Sequence, residues 1–385
     1  MQVPFTAEAL REAAEQKAGH GDYGSESYRA ALEPLLYSIE HESALNALGR
    51  REMWDRIVGA LANRLTVRGW EKANPELASA PVVAPVIILG LPRTGSSILH
   101  ETLAAAPGLR TPLIWEVRDY SLVHQVQDAR SDERIRKIDA EIERKKEVAP
   151  GYAAIHYEDA LIPMECVALT ILDLVSTQFS TIAWAPTYRR YLTSQDGRET
   201  YRWHQRAVRY LQARTPGKRW VLKAPMHSLY IEALLETYPD AKVVQTHRHP
   251  AKVIGSQVSL NDTLRRAWSD AVDIKAQAPL DAAYTAEAIR RAVAYRVRRP
   301  QEAARFHDVA FAHFMADQAG TLERIFKHCG MDFTDAARAA TLGYLEDRPR
   351  EKYGRHDYAL EQFGLTPEAL APLFAEYLER YRAYL

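Results

Sequence analysis

The stretch VVAPVIILGLPRTGSSILH, at residues 82–100, decides the fold of this chain. Its residues 86–90 are continuously apolar and mostly β-branched, and they end at a glycine, which predicts a short buried strand. A tight turn follows at 91–95, and Ser96-Ser97 then open a segment to Ala106 that we expect to be a helix. This layout is typical of a phosphate cradle, because backbone N–H groups and the positive end of the helix dipole converge on one point.

The loop departs in an informative way from the loop that binds ATP and GTP, which needs Gly-Lys-Ser/Thr at its end. The spacing between Gly90 and Gly95 is kept, but Ser96 stands where the lysine belongs, and Arg93 carries the positive charge inside the loop. The pattern indicates a P-loop relative whose anion is not the β- or γ-phosphate of a magnesium nucleotide. An ordinary β-turn-helix with serine caps is the alternative interpretation.

The loop resembles the 5′-phosphosulfate loop of the sulfotransferase family, whose bacterial members carry Gly-x-Pro-Arg-Ser/Thr-Gly-Ser/Thr-Ser/Thr. These enzymes use 3′-phosphoadenosine 5′-phosphosulfate (PAPS) as the sulfuryl donor and release 3′-phosphoadenosine 5′-phosphate (PAP). The resemblance implies an α/β, P-loop-like three-layer fold with a central parallel sheet, a helical N-terminal extension and helical acceptor-side insertions. It also implies that the donor's 5′-phosphosulfate is bound by Pro92, Arg93, Thr94, Gly95, Ser96 and Ser97.

Further strands extend the predicted sheet. Residues 219–222 and 241–246 are short apolar runs, each followed by a helical pattern, and a succession of such units implies parallel pairing with right-handed crossovers. Another strand is expected at 307–311.

The rest of the chain is predicted to be largely helical. We expect residues 1–80 to form the N-terminal extension and residues 81–385 one α/β domain, with a helical acceptor-side insertion at 115–215. The helices of these parts are expected from Thr6 to Gly19, at 25–48, 50–72, 125–147, 164–179 and 198–213, and in a C-terminal segment kinked at Pro372.

The composition limits the classes of function. The 50 Lys and Arg balance the 50 Asp and Glu, which gives no support for binding of nucleic acid or an anionic membrane. The two cysteines cannot form a disulfide framework or a cysteine-based zinc site, which favours a reducing cytoplasm. The first residues contain acids and lack the apolar segment of a secretory signal, and no apolar run approaches the ~20 residues that span a bilayer. We therefore expect a cytoplasmic protein without a membrane span, and its helical N-terminal region is compatible with a homodimer.

The carboxyl ends of neighbouring parallel strands meet at one edge of a sheet, where ligands bind. Three pieces of this sequence converge there: the loop at 90–97, the residues 223–227, and the residues 246–256. The last piece, with Arg248 followed by Ser256, closely resembles the family's 3′-phosphate signature, which implies that these two side chains hold the 3′-phosphate of the donor. Arginine suits that task because its planar fork forms charge-assisted hydrogen bonds with phosphate.

The resemblance implies roles for other residues at the same edge. Arg93 and Lys223 would act on the transferring group, with Lys223 at the bridging oxygen. The C-terminal stretch EKYGRHDY, at 351–358, resembles the Gly-Arg-His turn of the bacterial relatives and implies that Gly354 and Arg355 also contact the 3′-phosphate. An ordinary basic loop is an equally good interpretation of that stretch.

The acceptor needs a general base to remove its proton. Glu116, His156 and His227 are the three candidates. The resemblance implies the first two, since relatives place a catalytic glutamate or histidine at similar distances after the loop, and His227 lies just after the second strand, beside Lys223. Histidine has an unperturbed pKa near 6.5, which suits this task. A P-loop kinase needs an acid at a strand end to hold Mg²⁺, whereas the expected strands end in Lys223 or in His247-Arg248, so we expect no metal.

Taken together, these features indicate a sulfotransferase that moves a sulfuryl group from PAPS to a hydroxyl, or an amine, of a small-molecule acceptor. Two alternatives stay open at this stage. One is a P-loop kinase acting on a small molecule, and the other is a protein that binds PAP or a nucleotide without catalysis.

Overall fold

The structure, a computed structural model, describes residues 5–148, 158–347 and 359–385. It divides into two compact units, each made of several stretches of chain. The helical unit consists of Met1–Pro81, Pro112–Pro216 and Leu260–Asp273, and the sheet unit consists of Val82–Thr111, Gly217–Ser259 and Ile274–Leu385. The expected division at residue 80 into an extension and one α/β domain stays a prediction.

The sheet unit contains a five-stranded parallel sheet in the order β2-β3-β1-β4-β5. The strands are β1 (Val86–Gly90), β2 (Leu109–Arg110), β3 (Arg219–Lys223), β4 (Lys242–His247) and β5 (Phe306–Ala310). The four predicted strands are confirmed to within one residue at each end, and the two-residue β2 was not predicted. The chain leaves the central β1 toward one side for β2 and β3, and then crosses to the other side for β4 and β5.

The strand β1 is buried along its whole length. Alternate residues point to opposite faces of a sheet, and Val86 and Ile88 join a hydrophobic core on one face. The helices that supply Leu99, Leu322 and other core residues to that face are Ser96–Ala104, Gln318–His328 and Asp335–Glu346. A continuous apolar run therefore fits β1, because helices cover both faces of an all-parallel sheet.

The opposite face of the sheet meets the 25-residue helix Ile274–Arg298. Arg296 of this helix donates to Gln245 of β4 and to Asp308 of β5, at 3.0 and 2.6 Å. The sheet unit thus has the three layers expected of a P-loop-like α/β fold. This helix was not predicted from the sequence. Many of its buried positions are alanines, whose hydrophobicity differs too little from that of the exposed positions to give a clear helical period.

The other helices of the sheet unit follow the strands. Pro250–Trp268 starts in the sheet unit, and its residues from Leu260 belong to the helical unit. The others are Pro225–Ser228 (3₁₀), Ile231–Thr237, Pro300–Arg305 (3₁₀), Phe311–Ala316, Leu360–Phe363 (3₁₀), Pro367–Leu370, Ala371–Phe374 (3₁₀), Ala375–Arg380 and Arg382–Tyr384 (3₁₀). The last four lie in the predicted C-terminal helical segment, which is interrupted near Pro372 as expected. In the described part of the chain, no helix has the length and apolar character needed to cross a membrane.

The helical unit is built of helices of very different lengths. They are Ala7–Ala18, Ser27–His41, Ala47–Ala73, Pro75–Ser79, Ile114–Arg118, Tyr120–Leu122 (3₁₀), Glu133–Val148, Val167–Thr170, Ile171–Asp173 (3₁₀), Thr177–Ile182, Pro186–Ser194 and Arg198–Gln212. The cap at Thr6 is confirmed, since its side chain accepts a hydrogen bond from the backbone N–H of Ala9.

The prediction of one buried helix at 164–179 is wrong. Leu174 adopts a left-handed conformation, with φ 53°, which ends the preceding 3₁₀ turn. Ser176 then caps a new helix by accepting a hydrogen bond from the backbone N–H of Gln178. The helix expected from 125 begins only at Glu133, because Asp128 and Asp132 accept backbone hydrogen bonds in turns before it.

A fully buried ion pair ties the helical unit together. The guanidinium of Arg64 lies 3.0 Å from the carboxylate of Asp173. It also donates to the backbone carbonyls of Tyr23, Leu172 and Ser25, at 3.0, 2.9 and 2.7 Å. Burial lowers the pKa of Arg64 and raises the pKa of Asp173, so the pair is stable only because each charge has the other beside it.

Replacing Arg64 with Met should therefore leave an uncompensated buried carboxylate. We expect Arg64→Met to lower the free energy of unfolding by about 4 kcal/mol, as measured by urea denaturation. Adding Asp173→Asn to this variant removes the lone charge and should restore about half of the loss. If Arg64→Met alone proved as stable as the wild type, this account of the ion pair would be wrong.

Candidate active site

The end of β1 approaches β4 more closely than a side chain allows. Gly90 has φ 135°, and a Cβ atom built at this position would lie 2.4 Å from the carbonyl oxygen of Thr246. Only glycine therefore lets the two strands stay paired up to the register Gly90–Thr246. As a result, the loops that follow β1 and β4 leave the sheet side by side.

The loop after β1 is a compact turn held by its own threonine. The Thr94 hydroxyl donates to the carbonyl of Leu91 at 2.8 Å and lies 2.6 Å from the hydroxyl of Thr246. Arg93 and Gly95 both have left-handed backbones, with φ 60° and 78°. Arg93 is the notable one, since a non-glycine residue in this region is strained, and such strain tends to occur at functional sites.

The helix Ser96–Ala104 starts directly from this loop, with Gly95 at its N-cap position. Glycine has no side chain that could accept hydrogen bonds from the first turn of the helix. The N–H groups of that turn and the positive end of the helix dipole therefore point toward the loop, where they can bind an anion.

A lysine stands beside the start of this helix. Lys223 ends β3, the neighbour of β1, and only 2% of its surface is exposed. Its ammonium group donates to the hydroxyl of Ser97 at 2.9 Å. The predicted convergence of the loop with the end of β3 is thus present in the structure.

The loop after β4 joins the same cluster through two arginines. Arg248 donates from its guanidinium to the backbone carbonyl of Arg93 at 3.0 Å. The Nε of Arg93 donates to the hydroxyl of Ser256 at 3.0 Å, on the helix that begins at Pro250. Arg93 was predicted to bind one end of the donor, and Arg248 and Ser256 the other, and the structure places these residues in direct contact.

Phe311 completes this arrangement and was missed by the sequence analysis. It follows β5 directly, and a Cβ on Gly95 would lie 2.7 Å from its ring. The guanidinium of Arg248 lies 4.6 Å from the centre of the same ring, which is a favourable cation–π distance. The signal that could have found it is its position, since it is an aromatic residue at the end of the strand predicted at 307–311, at the edge where the site forms.

The candidate bases lie in different places. Glu116 belongs to the helical unit, is 1% exposed, and accepts a hydrogen bond from the backbone N–H of Leu113 at 3.0 Å, which caps its own short helix. His227 is buried in the 3₁₀ turn that follows β3. His156 lies outside the described residues, as do the expected 3′-phosphate contacts Gly354 and Arg355.

The comparisons with known proteins agree with this geometry. The sulfotransferase family model matches residues 85–335, so the chain belongs to the sulfotransferase family. The match covers every strand of the sheet and the loops that carry the two arginines.

Two solved structures resemble the whole chain. Sulfotransferase STF1 from Mycobacterium tuberculosis H37Rv is 31% identical, with a TM-score of 0.82 and coverage of 97% of this chain and 99% of the other. Sulfotransferase STF9 from Mycobacterium avium is 28% identical, with a TM-score of 0.87 and coverage of 99% and 98%. These matches and the parallel sheet confirm the predicted fold class.

A curated relative is similar over most of its length. The omega-hydroxy-beta-dihydromenaquinone-9 sulfotransferase Stf3 of Mycobacterium bovis is 23% identical over 310 residues, which is 77% of this chain and 74% of that protein. The protein of the same name from Mycobacterium tuberculosis matches equally. The assignment to a family of sulfuryl-transferring enzymes thus rests on the family model, the fold and these relatives together.

The strained backbone of Arg93 can be tested apart from its side-chain contacts. Arg93→Gly and Arg93→Ala both remove the guanidinium, but only glycine adopts a left-handed backbone without cost. We expect the Gly variant to be more stable than the Ala variant by about 1 kcal/mol in urea denaturation. Equal stability of the two variants would show that the loop relaxes to another conformation.

Proposed function

We propose that this protein is a PAPS-dependent sulfotransferase that transfers a sulfuryl group to a hydroxyl group of a small molecule. The observation that carries the proposal is the contact of Arg248 with the backbone of Arg93, whose side chain in turn meets Ser256. A donor with a phosphosulfate at one end and a 3′-phosphate nearby presents two anionic groups. A cluster with two adjacent arginines, a lysine and an open helix N-terminus is suited to such a ligand.

Within this proposal the loop residues bind the 5′-phosphosulfate. Backbone N–H groups at Gly95–Ser97 and the side chain of Arg93 hold its oxygens, and Arg248 and Ser256 hold the 3′-phosphate. The ammonium of Lys223, placed by its bond to Ser97, would stabilise charge that develops on the bridging oxygen as the sulfur–oxygen bond breaks. Fixed cations and dipoles of this kind lower the barrier without reorganising during the reaction.

The proposal for the acceptor rests on the names of the curated relatives and on the need for a general base that removes its proton. The curated relatives are named as sulfotransferases of a hydroxylated menaquinone, which supports a hydroxyl rather than an amine as the acceptor. A general base beside the acceptor would take the hydroxyl proton while the acceptor oxygen attacks sulfur in line with the leaving phosphate. Glu116, His156 and His227 remain the three candidates, and the two buried cysteine thiols support action in a reducing cytoplasm.

The donor assignment is tested by calorimetric titration with PAP, run beside ATP with Mg²⁺. We expect the wild type to bind PAP and to ignore ATP with Mg²⁺, and Arg248→Ala to lose at least about 100-fold in PAP affinity, since a charge-assisted contact is removed. Arg298→Ala is the control, because Arg298 is an exposed arginine of the same unit, and its PAP affinity should match the wild type. Preference for ATP with Mg²⁺ over PAP would refute the proposal and favour a kinase.

The base is tested with radiolabelled PAPS and a panel of hydroxyl-bearing quinones, phenols and sterols. With an acceptor in hand, we expect Glu116→Gln to slow single-turnover transfer by about 1,000-fold, while PAP affinity stays unchanged. His156→Gln and His227→Gln provide the matched comparisons. A large rate loss in one of the histidine variants, with Glu116→Gln active, would move the role to that histidine.

A further inference from the structure

A buried histidine stands immediately before Arg248. His247 ends β4 and has no exposed surface. Its Nε2 lies 2.8 Å from a carboxylate oxygen of Asp308, on the neighbouring strand β5, and its Nδ1 lies 3.1 Å from the hydroxyl of Tyr377. The mechanism proposed above gives none of these three groups a role.

The chemistry of Asp308 sets the direction of each hydrogen bond. Burial alone would raise its pKa, but hydrogen bonds from Arg296 and His247 outweigh burial and hold that pKa well below the usual range. The ionised carboxylate can only accept, so Nε2 of His247 donates to it. Burial also lowers the pKa of His247, so the ring is neutral and its Nδ1 must accept the proton of Tyr377.

A polarised chain thus runs without a conflict of direction from Tyr377 through His247 to Asp308. His247 directly precedes Arg248 in the chain, so the contacts that fix its ring also fix the backbone from which Arg248 extends. Arg296 closes its far end with a two-pronged contact to Asp308, at 2.6 and 2.8 Å. Such a chain fixes both the tautomer of the histidine and the orientation of the tyrosine hydroxyl.

The surroundings keep the chain in one arrangement. Tyr377 lies on the C-terminal helix Ala375–Arg380. The ring of His247 lies between aromatic neighbours of the same C-terminal segment, with Tyr381 at 4.2 Å and Tyr384 at 5.3 Å between ring centres. Arg296 also donates to the hydroxyl of Tyr381 at 2.9 Å, so cation, carboxylate and rings form one packed group.

We propose that Tyr377 and His247 are positioning residues for the donor site, which orient the Arg248 peptide and so aim its guanidinium at the donor's phosphate. This inference rests on the proposed function, because it assigns to Arg248 the binding of that phosphate. The guanidinium itself is held by the Arg93 carbonyl and the Phe311 ring. His247, fixed by Tyr377 and Asp308, holds the backbone from which it extends. The C-terminal helix is then part of the donor site, although its sequence carries no phosphate-binding pattern.

The test is a double-mutant cycle with PAP as the titrated ligand. Tyr377→Phe keeps the ring and removes only the hydroxyl, and we expect PAP affinity to fall about fivefold, as for the loss of one hydrogen bond. In an Arg248→Ala background the same Tyr377→Phe change should leave PAP affinity unaltered, because its effect passes through the missing guanidinium. A structural role alone would give the same loss in both backgrounds.

Tyr381→Phe is the matched control. It removes a hydroxyl from the same aromatic group, but that hydroxyl accepts a hydrogen bond from Arg296, whereas the hydroxyl of Tyr377 bonds the ring of His247. We expect its PAP affinity to stay within about twofold of the wild type, while its thermal stability changes as much as that of Tyr377→Phe. Equal losses of PAP affinity in the two tyrosine variants would overturn the proposal.

Two histidine variants provide an independent readout. His247→Asn keeps an acceptor near the position of Nδ1, facing Tyr377, whereas His247→Gln keeps a donor near the position of Nε2, facing Asp308. We expect PAP affinity to be retained better by Asn than by Gln, and the reverse order would contradict the proposed chain. If the wild type itself fails to bind PAP, the proposed function fails. Wild-type binding that Arg248→Ala weakens but Tyr377→Phe does not would refute the positioning role alone.

Discussion

The arrangement of the candidate site depends on the close approach of β1 and β4 at Gly90. A single methyl group there would strike the backbone of Thr246, and the two strands could not remain paired to their ends. Their pairing brings the Arg93 carbonyl within reach of Arg248, and it lets Thr94 and Thr246 join their hydroxyls beneath the loop. One missing side chain thus sets the spacing of both halves of the site.

The same edge of the sheet gathers three cationic side chains, which belong to Arg93, Lys223 and Arg248. Their contacts include hydroxyls, a carbonyl and an aromatic ring, which orient the cationic groups. Arg296 shows a contrasting arrangement, since its guanidinium lies against the carboxylate of Asp308. Under the proposed function, cations oriented in this way would bind the anionic groups of the donor.

Local patterns in the sequence were sufficient for the central strands and for the loop after β1, because each is encoded within about ten consecutive residues. Other features depend on neighbours distant in the chain. The helix Ile274–Arg298 is alanine-rich and shows little periodic contrast, and the break at Leu174 has no glycine or proline to announce it. Phe311 and the chain from Tyr377 to Asp308 depend on the pairing of β4 with β5, which no local pattern reveals.

The shortness of β2 has a consequence for the behaviour of the protein at high concentration. An edge strand exposes a row of unpaired backbone groups that can capture the strand of another molecule. At this edge the row is only two residues long, Leu109–Arg110, and the Arg110 side chain folds over the ring of Trp220 at 4.4 Å. A neighbouring chain would find a ladder too short to hold, so this side of the sheet is protected from strand addition and the aggregation that follows from it.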